Sequence, residues 1–413
     1  MTFGYQNERI AKKIHFFLFL RYTGCKSFKK INPLFISLKN MNMATDLVEP
    51  FVESIRDNTH RLASLAAGGR KIIGYFCTYT PVEIIHAAGF IPMRITGGAG
   101  HADKATAHLP DFICPFMKMS FEKALNGRYR FVYGLVQGYS CDAACGTANI
   151  WKDVFNGAIF HPVPIPYNDS PESRKFLQKA YEELIENLNA VGGTCTETSL
   201  AESINLYARI RKILIELYNL RYAGQLPISS SSLMAIIDAG FLIPPEEYLR
   251  MLVDFMTHLP VHIPAKQGGV PILISGSLIE SPHILDIVES CGGRIMADDL
   301  CNGFRQIFPP NGRGESSMNA LIDRYISRFP CPARNRAVVR SRELLNLMKQ
   351  SNARGVIFIL QKFCTPHLAD FPTLSLEFKK NGFPSLLVEM DESWQMESQL
   401  KTRLESFFEM LGG

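Results

Sequence analysis

The sequence predicts an α/β protein: two similar doubly wound, mostly parallel-sheet domains joined by a helical segment, with a cleft between them. Three observations carry this. Short apolar runs alternate with helix-length segments near both ends of the 413-residue chain. The middle shows helical periodicity alone. Cysteines recur directly after the predicted strands. Alternating strands and helices favour a parallel sheet, and such sheets collect ligands at the carboxyl ends of their strands.

The first half opens with Lys71–Phe76, a short buried strand that ends at Cys77-Thr78-Tyr79-Thr80-Pro81. Pro81 suits a first helical turn and Thr80 is a candidate cap. A helix over Val82–Ala88 then stops at Gly89, and Phe90–Ile95 forms a second strand running into Thr96-Gly97-Gly98. Strand, helix and strand within about 30 residues make a βαβ unit with a right-handed crossover. A third strand, Phe131–Gln137, leads to Cys141-Asp142 and a helix through Trp151; Ala158–Pro164 is the fourth.

From Asn168 to about Lys266 the pattern is helical. Arg174–Leu188 and Leu200–Tyr222 repeat apolar residues at helical spacing, as at Ile204, Tyr207, Ile210, Leu214 and Leu217. Ser229–Ser232 can cap a helix from Leu233, and Pro245 can start another through Met256. Alternation resumes with strand Val270–Ser275, helix His283–Ser290 and strand Arg294–Ala297, which runs into Asp298-Asp299-Leu300-Cys301. Strand Gly355–Gln361 runs into Lys362-Phe363-Cys364, Ser385–Glu389 is the last strand, and Glu397–Leu411 is an amphipathic closing helix. The halves form a weak internal repeat in which Cys141 corresponds to Cys364. The domains expected are an unstructured basic extension over 1–42, an N-terminal α/β domain over 43–167, a helical connection over 168–266 and a C-terminal α/β domain over 267–413.

Composition is that of an ordinary globular protein, with 46% apolar and 20% charged residues. The net charge of +5 comes from the first 42 residues, which hold eight basic residues and one acid; the remainder carries about −2. The body therefore offers no case for nucleic acid. No apolar run reaches the 18 or so residues of a membrane span. The basic stretch lacks a small-residue cleavage site after its apolar core, so it is read as an extension ahead of Met41 or Met43 and the protein as cytoplasmic. No phosphate-binding G-x-x-x-x-G-K-[ST] loop occurs, so ATP chemistry would need another protein.

Ten cysteines in a chain without an export signal point to metal or redox chemistry if they are specially placed. Cys77, Cys141, Cys301 and Cys364 follow strand ends, and Cys114 precedes a helix near Pro115. Individually each reads as a small buried hydrophobe; together they read as ligands. Cys25, Cys195 and Cys291 lean to packing, and Cys331 stays undecided. No C-x₂-C pair suggests zinc, and Cys141 with Cys145 alone is no radical-enzyme signature. Thiolates far apart in sequence suit an iron–sulfur cluster.

The segment from Tyr75 to Gly89, YFCTYTPVEIIHAAG, resembles a signature of the (R)-2-hydroxyacyl-CoA dehydratase / benzoyl-CoA reductase subunit family, typified by 2-hydroxyglutaryl-CoA dehydratase. So do Cys114-Pro115-Phe116-Met117-Lys118, Cys141-Asp142, the run from Asp298 to Arg305, Lys362-Phe363-Cys364 and the closing helix. The likeness spans roughly 45–411. It implies two related subunits with cysteine-held [4Fe-4S] clusters and a separate ATP-hydrolysing iron–sulfur activator that injects one electron. The implied substrate is an acyl-CoA, dehydrated from (R)-2-hydroxyacyl-CoA to 2-enoyl-CoA through a ketyl radical anion. The ligand candidates are Cys77, Cys114, Cys141 and Cys364, with Cys301 in reserve. Three readings remain: a dehydratase component in a heterodimer, a homodimeric double-cubane reductase or benzoyl-CoA-reductase-like electron-transfer protein, and a non-catalytic partner subunit.

Glu83 and His86 share a helix face and are candidates for acid–base work, against a competing role in local hydrogen bonds. Ser275 and Gly276, at a strand end, are candidates to bind a phosphate or thioester, against a plain turn. Asp298 and Asp299 either cap a helix or orient a ligand. Arg305 either meets a CoA phosphate or makes a surface ion pair. Trp151 and Trp394 are read as core.

Overall fold

The computed structural model describes residues 46–260, 268–391 and 397–412. The expectations for the extension, Cys25 and Trp394 lie outside the described residues. Two short helices, α1 (Glu49–Arg56) and α2 (Asn58–Ala67), precede the first sheet. That sheet is built from β1 (Ile72–Tyr75), β2 (Ile91–Arg94), β3 (Gly134–Tyr139) and β4 (Ile159–Pro164). Between them lie α3 (Val82–Ala87), α4 (Pro115–Leu125) and α5 (Asp142–Val154). The second sheet contains β5 (Val270–Gly276), β6 (Gly293–Asp299), β7 (Gly355–Gln361) and β8 (Ser385–Met390).

Both sheets are parallel throughout and share one order, β2-β1-β3-β4 and β6-β5-β7-β8. Every residue of β1 and of β7 is buried, which is why these strands read as unbroken apolar runs rather than alternating ones. Four helices stand between the sheets in sequence: α6 (Pro171–Ala190), α7 (Glu197–Tyr222), α8 (Ser230–Ala239) and α9 (Pro245–His258). Thr196 and Ser199 form a reciprocal capping box at α7, and Ser229 caps α8 by accepting from Ser232 N at 3.1 Å. The second half adds α10 (His283–Ser290), α11 (Phe304–Ile307), α12 (Ser317–Ile326), α13 (Ala337–Ser351), α14 (Thr365–Lys380) and the closing α15 (Glu397–Met410).

Some local expectations shift. The third strand begins at Gly134, because residues 126–131 turn before it. Thr80 caps no helix: Pro81 takes that place, and Thr80 Oγ1 accepts from Gly138 N at 2.9 Å. Gly138 permits this approach, since a Cβ there would stand 2.8 Å from the Tyr79 carbonyl carbon and the Thr80 nitrogen. Trp151 is core, packed with Phe76, Phe121 and Tyr129.

The described residues form one compact unit, and several links tie its halves. Glu280 accepts from Gly97 N at 2.7 Å and Gly98 N at 3.0 Å. Arg328 donates to the Thr78 carbonyl and, at 3.1 Å, to Thr78 Oγ1. Tyr325 reaches Thr80 O and Glu83 Oε2, and Arg94 N donates to Phe241 O.

Candidate functional site

In both sheets the order of connection reverses beside the first strand, between β1 and β3 and between β5 and β7. Such switch points open crevices at the carboxyl ends of the strands. Cys77 and Cys141 follow β1 and β3, and Cys364 follows β7. The halves anchor these ends alike. Gln137, in β3, accepts from Phe76 N at 2.9 Å and Cys77 N at 3.3 Å, while Gln361, in β7, donates to Leu278 O at 3.1 Å.

Cys114, Cys141 and Cys364 occupy one position three times: each is the N-cap residue of a helix, α4, α5 and α14 respectively. The backbone amide three residues on, from Met117, Ala144 and His367, favours the ionised sulfur in each case. Helix N-termini also carry partial positive charge. Phe363, directly before Cys364, holds a left-handed φ of 61° that a bulky residue adopts only under constraint from its surroundings.

These sulfurs lie close enough to oppose one another's ionisation. Burial drives the Cys141 thiol well above its ordinary value, and negative charge on Cys114, Cys77 and Cys364 adds to it. Burial pushes Cys364 up to about 12, with Cys114, Cys331 and Cys301 contributing. Burial likewise takes Cys114 and Cys77 up to about 11 each; Cys301 and Cys331 add to the rise at Cys77. Cys77 Sγ also lies 2.9 Å from Ser140 Oγ. Six cysteines thus fall in one electrostatically linked group, and none of them is in a disulfide. Cys291 packs elsewhere, against the apolar cluster around β5, whereas Cys195 borders the same cluster as Cys77 and Cys331.

Cys301 differs. Burial opposes its charge, but the guanidiniums of Arg94, Arg305 and Arg328 prevail and hold its thiol below the ordinary value. Arg94 is buried, stacked on Phe116 and Phe241, and donates from Nε to Phe76 O at 2.9 Å.

Among the described residues, no group of three or more His, Cys, Asp or Glu side chains is arranged to hold a single metal ion. Sulfurs on one ion crowd to roughly 4 Å, because metal–sulfur bonds are about 2.3 Å. A cubane spreads its ligands over several irons and asks for wider spacing. Linked thiols that are costly to ionise alone, beside buried guanidiniums and helix N-termini, fit an anionic cluster that supplies iron charge to each sulfur.

The other candidates sit in firm protein contacts. Glu83 is fully buried; Arg211 donates to it at 2.7 Å and Tyr325 OH lies 2.8 Å away. Burial would raise its carboxyl, but Arg211 and Arg324 hold it below the usual range. His86 Nδ1 is 2.9 Å from Ser203 Oγ, and Nε2 is 2.9 Å from Glu246 Oε1. The pair therefore straps α3 to α7, α9 and α12. Ser275 donates to Asp299 at 3.0 Å, and the Gly276 carbonyl accepts from Arg305 at 2.8 Å. A Cβ at Gly276 would meet Ile359 O at 1.9 Å, so glycine is required by close strand packing. Asp298 accepts from Phe304 N at 3.0 Å ahead of α11, whose N-cap is Gly303, and Asp299 binds arginines. Arg305 makes no surface pair: it is buried, with Asp299 2.8 Å from its Nε.

The 2-hydroxyglutaryl-CoA dehydratase, D-component family profile matches residues 77–411, which include all six of these cysteines. The chain belongs to this family. Its relatives include the (R)-phenyllactyl-CoA dehydratase beta subunit of Clostridium sporogenes, 27% identical over 83% of this chain and 92% of that protein. The lactoyl-CoA dehydratase beta subunit of Anaerotignum propionicum is 28% identical over 84% of this chain and 93% of its own length. A benzoyl-CoA reductase component of Thauera aromatica is 28% identical over 76% and 84%. Family membership agrees with the resemblance carried by the Tyr75–Gly89 and Asp298–Arg305 segments. Among the described residues, no helix is long and apolar enough to cross a membrane.

Proposed function

We propose that this chain is the iron–sulfur subunit of a cytoplasmic 2-hydroxyacyl-CoA dehydratase, removing water from (R)-2-hydroxyacyl-CoA by a one-electron route. The observation that supports this most is the threefold N-cap arrangement of Cys114, Cys141 and Cys364, drawn from both sheets and mutually felt. Those three residues would hold a [4Fe-4S] cluster. When bound, such a cluster supplies single electrons at low potential and leaves one iron without a protein thiolate. The chain's own residues position the sulfurs, offset their charge through Arg94, Arg305 and Arg328, and keep the strand ends dry. A sister dehydratase subunit is the expected partner, with an ATP-dependent iron–sulfur activator as electron donor; the named dehydratase relatives are themselves beta subunits.

Anaerobic purification with iron and acid-labile sulfide analysis tests the reading. About four irons per chain is the expected result; iron-free protein from anaerobic cells removes the proposal. A second reading rests on a separate observation. Cys77 responds to Cys301 and Cys331, which makes a second set of three beside the first. A double-cubane reductase would use all six sulfurs and give about eight irons per chain.

A further inference from the structure

A cavity of about 60 Å³ lies where α7, α8 and α12 meet the end of β1. Tyr75, Tyr207, Phe241 and Tyr325 line it together with Arg211 and Arg324, and none of the six linked cysteines does. Both arginines are deeply buried, at 5% and 3% exposure. Arg211 donates from Nε to Pro310 O at 2.7 Å and from Nη1 to Glu83 at 2.7 Å. Arg324 donates from Nη2 to Gln306 O at 2.6 Å. That leaves Arg211 Nη2 and Arg324 Nε and Nη1 buried without a partner.

Charge is unbalanced in the same direction. The Glu83 carboxylate favours the charged form of Arg324, against the guanidiniums of Arg211 and Arg328. Burial and those two cations all disfavour charge on Arg324, yet a guanidinium does not give up its proton in proteins. An uncompensated buried cation is strongly destabilising. Water satisfies donors but brings no charge. An anion does both, and a planar carboxylate can accept from two guanidinium edges at once. The volume exceeds the roughly 10–15 Å³ needed for one water, and it excludes any nucleotide.

We propose that Arg211 and Arg324 form a binding site for a small free carboxylate, of about the size of acetate, which joins the helical connection to α12 beside the first sheet. The site does not depend on the iron–sulfur reading. Melting of the purified protein is followed in increasing sodium acetate, with ionic strength held by sodium gluconate, whose anion is too large for the cavity. The expected result is a saturable rise of a few degrees in the native chain and none in Arg324→Met. Equal responses of native and variant proteins overturn the proposal. Should Arg324→Met fail to fold, crystals of the native protein soaked in sodium bromide decide. An anomalous peak within hydrogen-bond reach of Arg211 Nη2 and Arg324 Nη1 supports the site, and water density alone there overturns it.

Discussion

Arg94 Nη2 donates to Cys301 Sγ at 3.6 Å, and this contact separates Cys301 from Cys77, Cys114, Cys141 and Cys364. Burial raises those four thiols, whereas the arginines lower Cys301. In metal-free protein, Cys301 should therefore alkylate at lower pH than the others. Arg94→Leu should move its profile to higher pH, and Arg94→Lys should restore part of the difference. Iodoacetamide labelling rates against pH, read peptide by peptide by mass spectrometry, check this.

The N-cap cysteines should behave as a set. Ser in place of Cys114, Cys141 or Cys364 should each abolish cluster content, while Cys195→Ser and Cys291→Ser retain it. Iron, sulfide and the visible spectrum of anaerobically purified variants give the comparison. Retention of full iron in any of the first three removes that residue from the ligand set.

Asp299 is fully buried between two arginines, 2.8 Å from Arg305 Nε and 2.8 Å from Arg340 Nη2. Asp299→Asn removes the charge that both guanidiniums face and should cost about 3–5 kcal/mol. Arg340→Met should cost a similar amount: Asp299 keeps Arg305, but Asp370, 2.8 Å from Arg340 Nε, loses its arginine. Urea unfolding monitored by circular dichroism measures both.

Asp238 supplies a pH effect. Burial pushes its carboxyl up to about 7, although Asn302 donates to it at 2.8 Å. The folded form thus holds a proton that the unfolded chain releases near pH 4. Its contribution to stability is present below pH 4, falls as pH rises to about 7, and is lost above. Asp238→Asn should flatten that part of the stability profile, as seen in melts from pH 5 to 8.

The central strands are legible in the sequence because buried parallel strands are apolar from end to end, as in β7, and β4 and β8 read as short apolar runs despite exposed positions. Three helices of the second half, α12, α13 and α14, are not. In α13 the buried face carries Arg340 and Ser341, which break the apolar stripe, and α14 contains Pro372 in its interior. The cysteines can be found by their place after strands. The arginines around them cannot, since arginine usually lies at the surface. Arg305 illustrates this: only the folded chain brings Asp299 against it. Cys331 follows no strand, and its proximity to Cys77 and Cys364 depends on the chain between β6 and β7.

Two of the three N-cap sulfurs belong to one sheet and the third to the other, yet the sheets share no strand. Under the proposed reading, a cluster held by these sulfurs would act as a rivet through both halves. Loading iron would then stiffen the whole molecule as well as equip it chemically. The empty chain, lacking that fastening, would be the form whose halves breathe apart and admit a protease.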